Sequence, residues 1–515
     1  MPAGGCVHRQ GMTRSFASLG LLCAVLATPW LVGCQLPDDT DPPETTTGQT
    51  TTSTATTTST SEPYVAPEVE AGYLSAPPQP GAAEYEGRLF YSFHPAEEAP
   101  EKAPLLVFFN GGPGAATTGG LLPFGTGPFT LRTSMVKGDA PVENPDRMSR
   151  FAHLLYIDAR QTGYSYGLAQ GGNGCVAPST PTLDAADFVF ALLDFLDERP
   201  ALRGAKVVLV GESYGGTRAP TMLRLLQDYG LEGDSGYLPD PRTVPGLVDR
   251  IQAHFDLVTP DRAGEVLSPE EVAEQFGHQI LIQPNIGGHA QFDFESPLLQ
   301  ADPAMAPYIG GSSYSAYDVR MTWEEQTRID EMVTAAAFDP ESFEVLVGVS
   351  PADVEGLPAA ERQGAFRPDE LAPPPPDVTA EIEALLGAPG PSDYYWAQFV
   401  QPCGYWLGDI GTAGAFLTGL RRTKTFVTRA RYDSVVYSPA FPGFLGLANV
   451  GVTLDDAPKP DVARPGWIHV KYETGEESII RFPPYESGHM VAMTAGHELT
   501  TDVEAWLHEQ GAFAE

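Results

Sequence analysis

The chain has 515 residues, 42% of them hydrophobic and 19% charged, which is enough apolar material for a large core. Against 30 basic residues stand 67 acidic ones, a formal net charge of -37, and such a chain repels phosphate, so a nucleic-acid partner is excluded. The acidity implies a soluble, self-repelling surface and leaves the substrate open.

Residues 1–34 read as an export signal. Arg14 precedes an apolar run from Leu19 to Val32, which is too short to span a bilayer comfortably. The run closes in Leu31-Val32-Gly33-Cys34, which resembles the lipobox of bacterial lipoproteins and implies that Cys34 is lipidated and becomes the mature N-terminus. In such signals Gln35, in place of an Asp, implies an outer-membrane or cell-surface lipoprotein, held to the membrane by its lipid. An ordinary secretory signal is the alternative. Residues 35–63 are mostly Thr and Ser with no apolar periodicity, so they are expected to form a disordered tether. Of five cysteines, Cys6 and Cys23 leave with the signal. Cys175 and Cys403 remain, either paired in an oxidising compartment or as two unrelated thiols.

Globular composition begins near Tyr64. The runs "PLLVFFN" from Pro104, "HLLYIDA" from His153, "KVVLVGES" from Lys206 and "KTFVTRARYD" from Lys424 have the length and apolar content of buried strands. Between them, "TLDAADFVFALLDFLDERP" from Thr182 and "APTMLRLLQDYG" from Ala219 repeat apolar residues at helical spacing. Alternating strands and helices predict an α/β fold, a mostly parallel sheet with helices on both faces. The rhythm divides the globular part into a first core segment, 64–232, an insertion, 233–391, and a second core segment, 392–515. The middle segment, with "LAPPPPD" and the acidic "SPEEVAEQFGHQI", reads as a large cap over the sheet or as a separate small domain.

The chemistry centres on "VVLVGESYGGTRAP", Val207 to Pro220. Gly211-Glu212-Ser213-Tyr214-Gly215 fits G-x-S-x-G after a strand and before a helix, the context of a nucleophile elbow. A serine hydroxyl needs a general base, and the base needs an orienting carboxylate, in the chain order Ser, Asp, His for this kind of sheet. Asp433 ends a strand-like run, and His489 lies in a small-residue turn after another. His497 is the nearest rival base, but it opens the final helical segment. A metalloprotease is excluded, because "GHELT" and "LHEQG" lack a second His four residues after the first. There is no Walker-type loop either, so neither a metal nor another cofactor is expected.

The stretches "FFNGGPGAATTGGLLPFGTGPF", "NPDRMSRFAHLLYIDARQTGYSYG", "VGESYGGTRAP", "RYDSVVYS" and "ESGHMVAM" resemble, in order, the serine carboxypeptidase family. The resemblance runs from about Gly72 to Glu509 with a poorly matching middle. It implies an α/β-hydrolase fold with a cap insertion and release of C-terminal residues from peptides through an acyl-enzyme. It places the nucleophile at Ser213, the acid at Asp433 and the base at His489. It implies oxyanion-hole N–H groups at Gly112 and Tyr214, and substrate-carboxylate binding by Asn110 and Glu212, the latter protonated, hence an acid-pH preference.

The departures from the family pattern are specific. Phe108 stands for a usual Trp, Ala115 for a Cys, Gly125 for a Glu that would partner Glu212, and Ala492 for a Pro. The triad is complete while the carboxylate clamp is not. That leaves open an esterase or acyltransferase on the same triad, and, from another class, a tethered surface protein that binds without catalysis.

Overall fold

The computed structural model describes residues 69–78, 86–160, 162–167, 180–233, 236, 238–309, 313–355, 410–448, 450–460 and 462–514. Cys34, Cys175, Cys403, the leader, the tether and "LAPPPPD" lie outside the described residues.

Ten strands form the backbone of one sheet: β1 (Glu70–Ala76), β2 (Gly87–His94), β3 (Leu105–Phe109), β4 (His153–Ile157), β5 (Val207–Glu212), β6 (His278–Ile282), β7 (Lys424–Val427), β8 (Gly451–Asp455), β9 (Trp467–Lys471) and β10 (Glu477–Arg481). Their spatial order is β1-β2-β4-β3-β5-β6-β7-β10-β9-β8, and the two-residue strand Tyr166–Gly167 adds to β2. The run from β4 to β10 is parallel throughout. Antiparallel pairs close both edges. The inner strands β3, β4, β5 and β6 are buried at every position, which is why β3, β4 and β5 read as largely apolar runs instead of alternating ones.

The pleat sends alternate residues to opposite faces. Leu105, Val107 and Phe109 enter one core layer, and Leu106 and Phe108 the other. The first layer packs against α1 (Pro181–Asp197) and α2 (Gly215–Gln227) through residues such as Phe188, Leu192, Met222 and Leu226. The second packs against α3 (Gly496–Glu509) through Leu499, Val503 and Trp506. Helix α1 begins where the sequence provides a cap. Thr180 accepts the Leu183 N–H, and Pro181 occupies the first turn, where its missing N–H costs nothing.

One boundary differs from the sequence reading. The segment taken as an insertion from 233 contributes β6, which lies between β5 and β7 in the middle of the sheet. The core therefore extends to at least Ile282. The flanking residues are acidic and amphipathic, and "HQILIQ" carries polar groups that hydrogen-bond inside the sheet. Gln279 donates to Thr425 Oγ1 at 3.0 Å, so a buried strand is not marked by a purely apolar run.

Candidate active site

The carboxyl ends of β5 and β7 and the loop beyond β10 bring the candidate residues to one edge of the sheet. At the end of β5 the chain turns directly into α2, and Ser213 sits in the turn with φ +56, the left-handed region that a non-glycine residue seldom occupies. Hydrogen bonds fix this conformation from both sides. The Ser213 N–H donates to the Ile282 carbonyl at 2.9 Å, and its carbonyl accepts from Asn285 N at 2.9 Å and Gly216 N at 2.8 Å. Gly211 is required by close approach, because a Cβ there would overlap the Gly215 carbonyl.

His489 and Asp433 meet. His489 Nδ1 lies 2.8 Å from Asp433 Oδ2, which leaves Nε2 for a substrate-side role. The carboxylate is fully buried, and its Oδ1 accepts the N–H groups of Val435 at 2.7 Å and Val436 at 3.0 Å. Burial opposes a charged imidazole, but the Asp433 carboxylate, its hydrogen bond and Glu212 outweigh burial and hold His489 above its ordinary value. His497 is elsewhere. It pairs with Asp146 at the mouth of α3 and is largely exposed, so the rival base is not at this site.

The loop after β3 packs onto the elbow. A Cβ on Gly111 would lie 2.5 Å from Tyr214 N and 2.7 Å from Ser213 Cβ, so the Gly111-Gly112 backbone and the first turn of α2 are in contact. Asn110 is buried, with its carbonyl Oδ1 accepting from Leu121 N at 2.9 Å and its Nδ2 donating to Glu212 Oε2. The other Glu212 oxygen, Oε1, is buried without a hydrogen-bond partner. Burial pushes Glu212 up to about 7; His489 and Asn110 oppose that rise, and Asp433 adds to it.

Gly125 and Ala492, two separate departures in the sequence, are neighbours here. Gly125 has φ +73, and a Cβ on it would overlap the Ala492 carbonyl oxygen. The chain thus has no room for a Glu at the position where the family pattern puts one.

Sequence reasoning missed the supports. Arg218, one turn into α2, is buried, and its Nε and Nη2 pair with the Asp184 carboxylate of α1 at 2.8 and 3.2 Å. Its Nη1 donates to the Asn110 carbonyl at 2.7 Å, which ties the loop after β3 to both helices. Arg218 was visible inside "VGESYGGTRAP", and a charge within an otherwise apolar helix face is the signal that would have drawn attention to it. A segment at 315–321 also joins the Asp433 and His489 loops. Met490 N donates to the Tyr317 carbonyl at 3.3 Å, Val319 N to the Tyr432 carbonyl at 3.3 Å, and Arg320 Nη2 to the Glu486 carbonyl at 2.8 Å. Among the described residues no cluster of His, Cys, Asp and Glu is arranged to hold a metal ion, and no helix is long and apolar enough to cross a membrane.

Residues 60–234 match the family described as serine carboxypeptidase. Over 152 residues the chain is 36% identical to carboxypeptidase sxa2 of Schizosaccharomyces pombe, a match covering 29% of this chain and 26% of that protein. It is 33% identical over 152 residues to carboxypeptidase S1 of Penicillium janthinellum, covering 27% of this chain and 33% of the relative. The matches thus span about a quarter to a third of these relatives' length. The crystal structure of a prohormone-processing carboxypeptidase from Saccharomyces cerevisiae superposes with a TM-score of 0.50 at 11% identity, over 86% of this chain and 92% of that one. The strand order and this superposition agree on an α/β-hydrolase fold, and residues 60–234 are similar to the serine carboxypeptidase family.

Proposed function

We propose that the protein is a serine-type carboxypeptidase that releases C-terminal residues from peptides through an acyl-enzyme. The observation that carries this reading is the buried His489–Asp433 pair at the sheet edge that also bears the Ser213 elbow. In the proposed cycle Ser213 Oγ attacks the scissile carbonyl carbon while its proton passes to His489 Nε2. Asp433 stabilises the imidazolium without taking the proton. Charge develops on the carbonyl oxygen and is met by the N–H groups of Gly112 and Tyr214, each worth about 3 kcal/mol in comparable sites. His489 then protonates the leaving amine, and the bond to the departing residue breaks. Water, deprotonated by the same imidazole, hydrolyses the ester to Ser213.

Selection for a free C-terminus is assigned to Asn110 and Glu212. Glu212 in its protonated form donates through the oxygen that has no internal partner, and a substrate carboxylate is the acceptor that would complete it. Gly125 in place of a second acid removes half of that clamp, which favours a second reading: an esterase or acyltransferase on the same residues. Export, lipidation of Cys34 and a membrane-tethered location are proposed from residues 1–63 alone.

N-blocked peptides with a free or an amidated C-terminus, incubated with the protein and with Ser213→Ala, distinguish these readings by mass spectrometry. Stepwise loss from the free end, weaker on the amide and absent in Ser213→Ala, is expected. Turnover of activated esters without trimming would move the assignment to ester or acyl transfer. Inertness towards both would leave a binding protein.

A further inference from the structure

We propose that Gln283 is a positioning residue of this centre, holding the Asp433 carboxylate in place and setting how strongly it draws on the His489 proton. The inference rests on the triad reading of Ser213, Asp433 and His489. Gln283 directly follows β6 and is fully buried. Its φ is +47, a conformation that strains a non-glycine residue and persists only where the surroundings over-determine it. The surroundings do so through the side-chain amide. Nε2 donates to Asp433 Oδ2 at 2.7 Å, to Ser438 Oγ at 3.0 Å and to the Val436 carbonyl at 3.3 Å. Oε1 accepts from Thr428 Oγ1 at 3.0 Å and from Ala430 N at 3.1 Å.

The ionised Asp433 carboxylate can only accept, which turns the NH2 end of the amide towards it and leaves Oε1 to accept from Thr428 and from the Ala430 N–H, shared with Ser438 Oγ at 2.9 Å. Asp433 Oδ2 therefore receives two donors, Gln283 Nε2–H and His489 Nδ1–H, while Oδ1 receives two backbone N–H groups. Among the described residues four donors hold the anion, and no Lys or Arg is paired with it. A glycine at 283 would relieve the backbone strain and lose all five contacts, so the strain is retained together with the amide.

Two other titratable groups act on the pair, and burial raises both, Glu212 to about 7 and Glu295 to about 8, so both ionise within the pH range of the test. Glu212 reaches it from the end of β5, and Glu295, which accepts the Tyr437 N–H at 3.0 Å, reaches it from the helix Gly288–Ala301. Arg320 and Arg431 lie about the neighbouring Tyr432 ring, 4.2 and 5.8 Å from its centre, both with substantial solvent exposure. These groups are the same in wild type and variants, and within that shared background the Gln283 N–H competes with His489 for the charge on one oxygen. Without it Asp433 holds the imidazolium harder, and the free base appears only at higher pH.

The test is the rate at which a fluorophosphonate labels Ser213, a reaction that forms the Oγ–P bond, expels fluoride and sends the Ser213 proton to His489. Rates are followed between about pH 4 and about pH 9 in the wild type, Gln283→Met and Gln283→Glu. Gln283→Met is expected to label roughly tenfold or more slowly, with its acid limb moved up by about half a pH unit. Gln283→Glu keeps an acceptor for Thr428 and Ala430. While protonated it still donates to Asp433, so its rate relative to wild type is expected near unity in acid and to fall as the second carboxylate ionises. If Gln283→Met does not fold, the Glu variant decides alone. Equal slowing at every pH, or no slowing, would reduce Gln283 to a structural role and overturn the inference. A wild type that is not labelled at Ser213 overturns the triad itself, a separate failure.

Discussion

In the proposed cycle, Glu212 and His489 need opposite protonation states within one small volume. On that proposal the imidazole is free to accept the Ser213 proton, whereas the carboxyl keeps its proton to meet a substrate carboxylate. The Asp433 charge holds His489 above its ordinary value, and burial pushes Glu212 up to about 7. With a free-carboxylate peptide, kcat/KM is expected to rise as His489 loses its proton and to fall as pH passes about 7. An ester without a carboxylate should show the rising limb and lack the falling one that belongs to Glu212. Glu212→Gln keeps a neutral donor and should remove the falling limb with the peptide, and matched pH profiles of the two substrates check this. The same shift has a thermodynamic side. The folded value of Glu212 lies above its unfolded value of 4.5, so its contribution to stability is complete below about that pH and is lost as pH rises through about 7. A difference of this size corresponds to roughly 3 kcal/mol at neutral and higher pH. Urea unfolding at about pH 8 should therefore find Glu212→Gln more stable than wild type, and about equally stable at about pH 4.

At the scale of elements, the elbow and the pair are set by local backbone rules that leave a mark in the sequence. Gly211 admits the Gly215 carbonyl, so a serine between glycines after an apolar run was readable as a turn that presents its hydroxyl. Asp433 stood out at the end of a strand-like run and His489 in a small-residue turn after another, in the chain order the proposed triad needs. Strand β6 was not, since its buried glutamine and acidic flanks hide it, and neither was Gln283, whose side chain acts through hydrogen bonds to Thr428, Ala430 and Asp433, all beyond the end of β7. The two departures at Gly125 and Ala492 could be read singly but not as a contact, because 367 positions of sequence carry no sign that they touch (492 less 125). That contact yields a prediction. Gly125→Glu would put a second acid into the clamp region on paper, yet it forces a β-carbon into the left-handed region and against the Ala492 carbonyl. It should lower stability by about 2 kcal/mol or more and leave peptide trimming no better than wild type, measured by thermal unfolding and by the mass-spectrometric assay.

Across the whole molecule, the site edge is held by buried charge from distant parts of the chain. Arg218 and Asp184 are a paired cation and anion with almost no solvent exposure, and Arg160 and Asp187 form a second such pair beside them. The cluster is neutral as a whole, which is the condition for burying it at all. The first pair also reaches the candidate site, because Arg218 Nη1 donates to the Asn110 carbonyl in the loop that carries Gly112 and the Asn110 amide. Stability and activity should then separate on mutation. Arg218→Met strands the Asp184 charge in the interior and is expected to cost about 3–5 kcal/mol. Arg218→Met with Asp184→Leu removes both charges and should recover much of that loss, since apolar side chains of similar volume replace a buried pair at little cost. The Asn110 carbonyl lacks its donor in both variants, so the double variant should unfold near wild-type urea concentrations and still turn over peptide slowly. Recovery of activity together with stability would mean that the loop after β3 holds its position without Arg218.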